Sequence, residues 1–360
     1  MQTGTTHKRL FIPGPTEVHP DVREAMSGPP VGHRSAEATV IGERVIGKIQ
    51  RLLNTEGPVF LSTSSSTGLM EGVVRNGSAK RFLCTPCGAF GERWVQIAQA
   101  CGREHDVLET EWGRAVRPER LREALETGRY DAVLLTHNET STGVMNPLPE
   151  LAAVVRDFPD VFLFVDAVSS LAAVDVDFHA LGLDGILAGV QKAVAVPPGF
   201  AFMAVSDRVV ERARGVENRG FYFDFVRHYA AYEKKQGVTT PSTSHLYALD
   251  LQLSRILEET MPVREARHRK MAERTRAWAR DRFALFPEEG YESVTLTTIR
   301  NTREIDVPGL NRELAERGVV IGNGYGRLKN ETFRIAHMGE IRMRDIDELL
   351  GWIDEILGLG

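Results

Sequence analysis

Cysteine is scarce in this chain, with three residues, Cys84, Cys87 and Cys101, among 360. None follows position 101, so the later loops have no thiol nucleophile to offer. Cys84 and Cys87 form a lone CxxC, and no second pair or nearby histidine completes a zinc site. Two small buried hydrophobes with free thiols are expected there, with a redox pair as the alternative. No apolar run approaches the roughly 20 residues that span a bilayer, so no membrane partner is expected. The opening "MQTGTTHKRLFIPGPTEV" lacks an apolar stretch of signal-peptide length, and a cytoplasmic location is expected. No charge sign dominates either. Lysine plus arginine number 44 against 49 acidic residues, net −5, and the two signs are mixed along the chain. That pattern leaves no electrostatic footprint for nucleic acid. Internal repeats and low-complexity tracts are absent, as are GxGxxG and Walker sequences, so neither a dinucleotide nor a nucleoside triphosphate is supported.

What the chain does contain is an ordinary globular composition, with 42% hydrophobic residues, and length enough for a large core and two domains. From about 58 to 205, short apolar runs alternate with helical patterns. The strand candidates are "PVFLST", "KRFLCT", "DAVLLTHN", "VFLFVDA", "DGILAG" and "GFAFMAV"; helices are expected near 67–76, 90–102, 117–127 and 148–157. Near-continuous apolar strands separated by amphipathic helices predict an α/β fold, a mainly parallel central sheet flanked by helices. Residues 242–283 read as one long helical stretch. Strands in "YESVTLTTIR", "GVVIGNGYG" and "TFRIAHMG" follow, interleaved with helices near 307–317 and 343–357, and predict a smaller C-terminal α+β domain. The expected division is 1–245 for an N-terminal arm and large domain, and 246–360 for the linking helix and small domain. The aromatic and charged segment 206–240 reads as an excursion from the sheet.

In open α/β sheets, ligands gather at the carboxyl ends of the strands. The first expected strand runs into "STSSSTG", residues 62–68, where hydroxyls and free N–H groups opening a helix suit a phosphate; a plain Ser/Thr cap is the alternative. Asp166 ends a strand expected to be central, where a carboxylate is costly without a cationic partner. It could cap a turn, meet a metal or face a protonated ring nitrogen, and no histidine accompanies it to favour the metal. "THNETSTG", residues 136–143, leaves another strand. Lys192 follows the next, among apolar neighbours and eight positions from Asp184, its nearest acid before it. A desolvated lysine is held toward its neutral form and can attack a carbonyl. A lysine with an acid for a pyridinium nitrogen is the minimal kit for pyridoxal phosphate.

Seven segments carry a resemblance: "GHRS", "GAFGERW", "HNETSTGV", "VDAVSS", "GVQKA" with "PPG", "TTPSTSHLYAL" and "FRIAHMG". In this order and spacing, the chain resembles the class V, fold type I aminotransferases that use pyridoxal 5'-phosphate, in particular their alanine–glyoxylate and serine–pyruvate (serine–glyoxylate) branch. The resemblance runs from "FIPGPTEVHPDV" to "TFRIAHMG". It implies ping-pong transamination between serine or alanine and glyoxylate or pyruvate, through a Lys192 aldimine, with Asp166 on the pyridinium nitrogen. It places Ser66, Thr67 and Gln191 at the phosphate, Ser141 near the pyridine hydroxyl, and Val168 and Phe90 on the two ring faces. Arg334 would hold the substrate α-carboxylate, with Gly14 and Arg34 also at the substrate, and no metal is implied. A homodimer is implied too, with Thr240 of each subunit donated to the partner's site. One departure stands out. Gly237 occupies a position where a relative carries a tyrosine, three residues before the threonine matched by Thr240.

Three other readings remain. Phosphoserine or 2-aminoethylphosphonate as donor would need a second cationic site, for which His33, Arg34, Arg219, Arg227, His228, Arg327 and Lys329 are candidates. Surface or interface ion pairing is their ordinary role. A cysteine desulfurase-like lyase would need the late cysteine that is missing. A regulatory protein would be expected to have lost Lys192, Asp166 or Arg334, and all three are present.

Overall fold

The computed structural model describes residues 7–359. Seven strands form the larger sheet, in the order Val59–Ser62, Ala201–Val205, Gly185–Gly189, Phe162–Asp166, Ala132–Thr136, Phe82–Thr85 and His105–Val107. The last five in that order pair parallel, and only Ala201–Val205 runs against both its neighbours. This is the mainly parallel sheet that the apolar runs predict. Side chains alternate along each strand between its two faces. Val133, Leu135, Leu163 and Val165 join one hydrophobic cluster. Ala132, Leu134, Phe162 and Phe164 join the cluster on the opposite face. Both faces are covered by helices, which is why these strands carry no polar alternation.

The two cysteines of the CxxC fall into different clusters, Cys87 in the first and Cys84 in the second. Burial pushes both thiols up, Cys84 to about 12 and Cys87 further, so both stay protonated; both are free and buried.

The smaller sheet has five strands in the order Arg9–Phe11, Val319–Asn323, Thr332–Ala336, Leu296–Arg300 and Ala284–Leu285. Arg9–Phe11 pairs parallel with Val319–Ile321, so the N-terminal arm contributes a strand to the C-terminal sheet. The helical stretch 242–283 is two helices, Thr243–Glu259 and Met261–Arg282. They break at Thr260, which takes a left-handed φ of 66°. Pro262 explains the break: within one continuous helix its ring would meet the carbonyl of Glu258 and leave that turn without a hydrogen bond. The excursion 206–240 holds two short helices, Asp207–Gly215 and Phe225–Glu233. Among the described residues, no helix is long and apolar enough to cross a membrane.

Candidate active site

Three adjacent parallel strands, Ala132–Thr136, Phe162–Asp166 and Gly185–Gly189, bring their carboxyl ends together. A cavity of about 330 Å³ opens there, and Ser65, Ser66, Thr67, Phe90, Asp166, Val168, Gln191 and Lys192 all border it. The parallel register sets Thr136 beside Asp166 and Asp166 beside Leu187, so loops leaving three strands converge on one point.

Lys192 is 8% exposed, and its ammonium donates to the Pro13 carbonyl. Thr16 fixes the lysine's backbone by donating its hydroxyl to the Lys192 carbonyl at 2.7 Å. Gly14 lies against the lysine side chain. A Cβ there would stand 2.7 Å from Lys192 Cδ, and its φ of +97° also excludes an ordinary side chain. Burial, and next the Arg334 guanidinium, lower the Lys192 pKa to about 8; Asp166 and Glu139 oppose the shift. Burial raises Asp166 to about 6, and an N–H from Val168 at 2.9 Å to its Oδ1 restrains the rise. Both groups therefore titrate close to neutrality, the range useful for moving protons.

At the other end of the cavity, helix Ser66–Asn76 begins beneath Ser65, whose side chain makes no capping bond. The Ser66 hydroxyl is buried without any hydrogen-bond partner. Gly189 is what lets it approach, since a Cβ there would stand 2.4 Å from Ser66 Oγ and 2.5 Å from Gln191 Oε1. An orphan hydroxyl and free N–H groups at a helix start fit an anionic ester. Phe90 and Val168 supply apolar walls for a flat ring, with Asp166 bordering the same space. The residues present thus fit a phosphorylated pyridine.

Phe90 opens helix Ala89–Ala100, and a buried carboxylate secures that opening. Glu139 accepts from the Phe90 and Gly91 N–H groups at 3.0 and 2.9 Å, and from the N–H and hydroxyl of Ser141 at 2.9 and 2.6 Å. The structure consequently turns Ser141 away from the cavity. Its hydroxyl is held by Glu139 and by the Ala89 N–H, and Asn138 and Thr140 face the cavity in its place. Extended backbone alternates its side chains, which pairs Thr140 with Asn138 and Ser141 with Glu139.

Arg334 reaches the site from the smaller sheet. It is buried, donating from Nε to the Asn323 carbonyl at 2.9 Å and from Nη1 to the Thr140 carbonyl at 3.1 Å. Burial lowers its pKa to about 10, still far above neutrality. Tyr325 lies between Arg334 and Phe90, 5.6 Å from the guanidinium and 5.2 Å from the other ring.

Arg34 and Thr240 lie elsewhere within this chain. They share a second recess of about 530 Å³ with His33, Arg227 and Lys234. Arg327 stacks on Trp112 at 3.9 Å and does not border the first cavity. Sequence reasoning also missed Ser65, Arg93, Asn138 and Ser169, which line that cavity. Ser65 and Arg93 sit inside quoted motifs, and their place there was the available signal.

The chain matches the class-V aminotransferase family over residues 23–325. It belongs to that family. An uncharacterized aminotransferase of Methanocaldococcus jannaschii is 36% identical over 348 residues, covering 94% of this chain and 90% of the relative. A serine–glyoxylate aminotransferase of Methylorubrum extorquens is 30% identical over 354 residues, covering 92% and 86%. The crystal structure of an alanine–glyoxylate aminotransferase from Nostoc sp. superposes with a TM-score of 0.92 at 28% identity, over 99% of this chain and 97% of the other. The class-V aminotransferase described here is thus a pyridoxal-phosphate-dependent transaminase of fold type I.

Proposed function

We propose that this aminotransferase moves the amino group of a small donor, serine or alanine, to a small 2-oxo acid, glyoxylate or pyruvate. The observation that carries the reading is Arg334. It is a buried guanidinium bonded only to main-chain oxygens, with no carboxylate partner among the described residues. Such a fork suits an α-carboxylate, which takes two parallel N–H bonds. The serine–glyoxylate and alanine–glyoxylate relatives support the same substrate class.

Bound pyridoxal 5'-phosphate supplies a carbonyl that bonds to amines and a ring that accepts the electrons released at the donor's Cα. The chain's own groups divide the remaining work. Lys192 Nζ, shifted toward neutrality, takes the Cα proton and gives it up again. Asp166 would keep a proton on the ring nitrogen. Phe90 and Val168 would hold the ring, and Ser65, Ser66, Thr67 and Gln191 the phosphate. Asn138 and Thr140 line the same cavity, with Thr140 bonded to the Ser169 hydroxyl at 2.5 Å.

The second recess supports a homodimer in which Thr240, with Arg34 beside it, completes the partner's cavity. Thr240 is exposed in the single chain, and so is Phe221, at 67%, on the rim of the same recess. Within one chain, Arg327 stacks on Trp112 and does not border the cavity, which leaves the phosphoserine and aminophosphonate readings with less support. No cysteine borders the cavity, so the lyase reading lacks its nucleophile.

The test is half-transamination of the bound cofactor, followed by absorbance, with serine, alanine, phosphoserine, aspartate and 2-aminoethylphosphonate. Conversion by serine or alanine at the lowest concentrations is expected. A strong preference for phosphoserine would overturn the small-donor reading.

A further inference from the structure

We propose that Arg93 is a phosphate-binding residue, its guanidinium closing over the cofactor's phosphate ester beside the start of helix Ser66–Asn76. The inference rests on the reading of this cavity as the cofactor's; Arg93 sits inside "GAFGERW", to which the resemblance assigned only Phe90.

Arg93 stands in the first turns of helix Ala89–Ala100, one turn beyond Phe90, and borders the cavity. Its Nη1 donates to Thr67 Oγ1 at 3.3 Å, which sets the guanidinium at the hydroxyl-lined end of the cavity. That is its one hydrogen bond among the described residues, and no carboxylate lies within ion-pairing distance of it. Its Cζ sits 4.8 Å from the Phe90 ring centroid, so the side chain is braced along the aromatic and keeps its remaining N–H groups for another partner. An arginine placed this way, with no carboxylate partner, beside a buried Ser66 hydroxyl without a partner, suits the binding of an anion.

Charge points the same way. A phosphate monoester carries roughly −1.5 to −2 near pH 7. The helix start offers the equivalent of about half a positive charge, and the hydroxyls of Ser65, Ser66 and Thr67 offer none. Gly237 brings no side chain to the phosphate either. A guanidinium supplies the missing charge and can bind two oxygens at once.

The rival role, binding the distal carboxylate of a dicarboxylic donor, fits the geometry less well. Arg334 approaches the cavity by way of the Thr140 carbonyl, whereas Arg93 is tied to Thr67, at the phosphate end.

The experiment compares the full chain, freed of cofactor, with its Arg93→Gln and Arg93→Lys variants in equilibrium dialysis against pyridoxal 5'-phosphate and against pyridoxal, which lacks the phosphate. The expected result for Arg93→Gln is a roughly tenfold or greater loss of affinity for pyridoxal 5'-phosphate with pyridoxal unchanged, partly restored in Arg93→Lys. Equal loss for both ligands would mean that Arg93 only shapes the cavity, and no loss for either would mean that it does not touch the phosphate; both overturn the proposal. An unchanged cofactor affinity with a raised KM for aspartate alone would assign Arg93 to the substrate. If the unaltered chain itself showed no preference for the phosphorylated ligand, the reading of the cavity would fail, a result distinct from failure at Arg93.

Discussion

Arg334 Nη1 donates to the main-chain oxygen of Thr140 at 3.1 Å, across 194 residues of chain. The bond ties a strand of the smaller sheet to the loop whose side chains border the cavity of the larger one. The cavity therefore depends on both sheets, and the guanidinium is aimed before any substrate arrives. Preorganisation of this kind lowers the cost of ordering the site on binding.

Arg334→Lys keeps a positive charge but loses the planar fork and one of its two carbonyl anchors. The expected loss is roughly 10- to 100-fold in kcat/KM for the amino donor, with cofactor affinity within a factor of about two of the original. Steady-state kinetics and a cofactor titration on the same preparation check both parts. Equal losses in both measurements would remove Arg334 from the substrate's carboxylate.

Lys192 carries a pH prediction with a definite sign. Burial and the neighbouring Arg334 disfavour its ammonium, bringing the pKa down to about 8. In the cofactor-free chain, its reaction with an aldehyde should rise with pH through a midpoint near 8 rather than near the ordinary value of 10.5. Arg334→Gln removes one of the lowering charges and should move that midpoint upward. The rate of absorbance change on adding pyridoxal, measured from pH 6 to 10, reads both. Lys192→Ala should abolish turnover.

Neighbouring hydroxyls in the loop 138–142 should behave differently. Ser141→Ala removes a buried donor to Glu139 and an acceptor for the Ala89 N–H, and should cost about 1–3 kcal/mol of stability in urea unfolding. Thr140→Val leaves that network intact and should act on the cavity instead, shifting the absorbance of the bound cofactor. Identical stability losses in the two variants would remove the distinction.

This pair also shows how far the sequence could be read. Lys192 and Asp166 were legible from strand ends and Ser66 and Thr67 from a helix start, while Phe90, Val168 and Gln191 came from the resemblance; all of them border one cavity. Choosing between Thr140 and Ser141 needed the phase of the side-chain alternation, which a polar loop does not reveal by composition. The parallel sheet was legible from its apolar runs. The break at Thr260 was visible only through Pro262, and the pairing of Arg9–Phe11 with Val319–Ile321 is a long-range contact that no local pattern encodes. Arg93 escaped notice because, in sequence, it is one more helical arginine.

Acid should destabilise this protein earlier than carboxylate protonation alone would require. His137, His268 and His337 are buried, and burial lowers His137 to about 4, His337 to about 3 and His268 well below the ordinary value of 6.5. Each has a neutral hydrogen-bonding role: His137 Nδ1 with the Ser170 hydroxyl at 2.9 Å, His268 Nε2 with the Gly339 N–H at 3.1 Å, and His337 Nε2 with the Thr297 hydroxyl at 3.0 Å. In the unfolded chain, these histidines take up protons below about 6.5. The folded state cannot follow, so stability complete above pH 6.5 drains away as pH falls toward 4. Asp166 works in the opposite sense, since its raised pKa of about 6 favours the folded state as pH falls from 6 toward 3.8. Glu139 and Asp175, also raised by burial, act with Asp166, while His228, lowered to about 4, acts with the other histidines, so the four histidines keep the net slope downward. Urea midpoints measured at pH 7, 6, 5 and 4.5 should decline throughout this range, and a flat profile would mean that the histidines gain protons in the folded state.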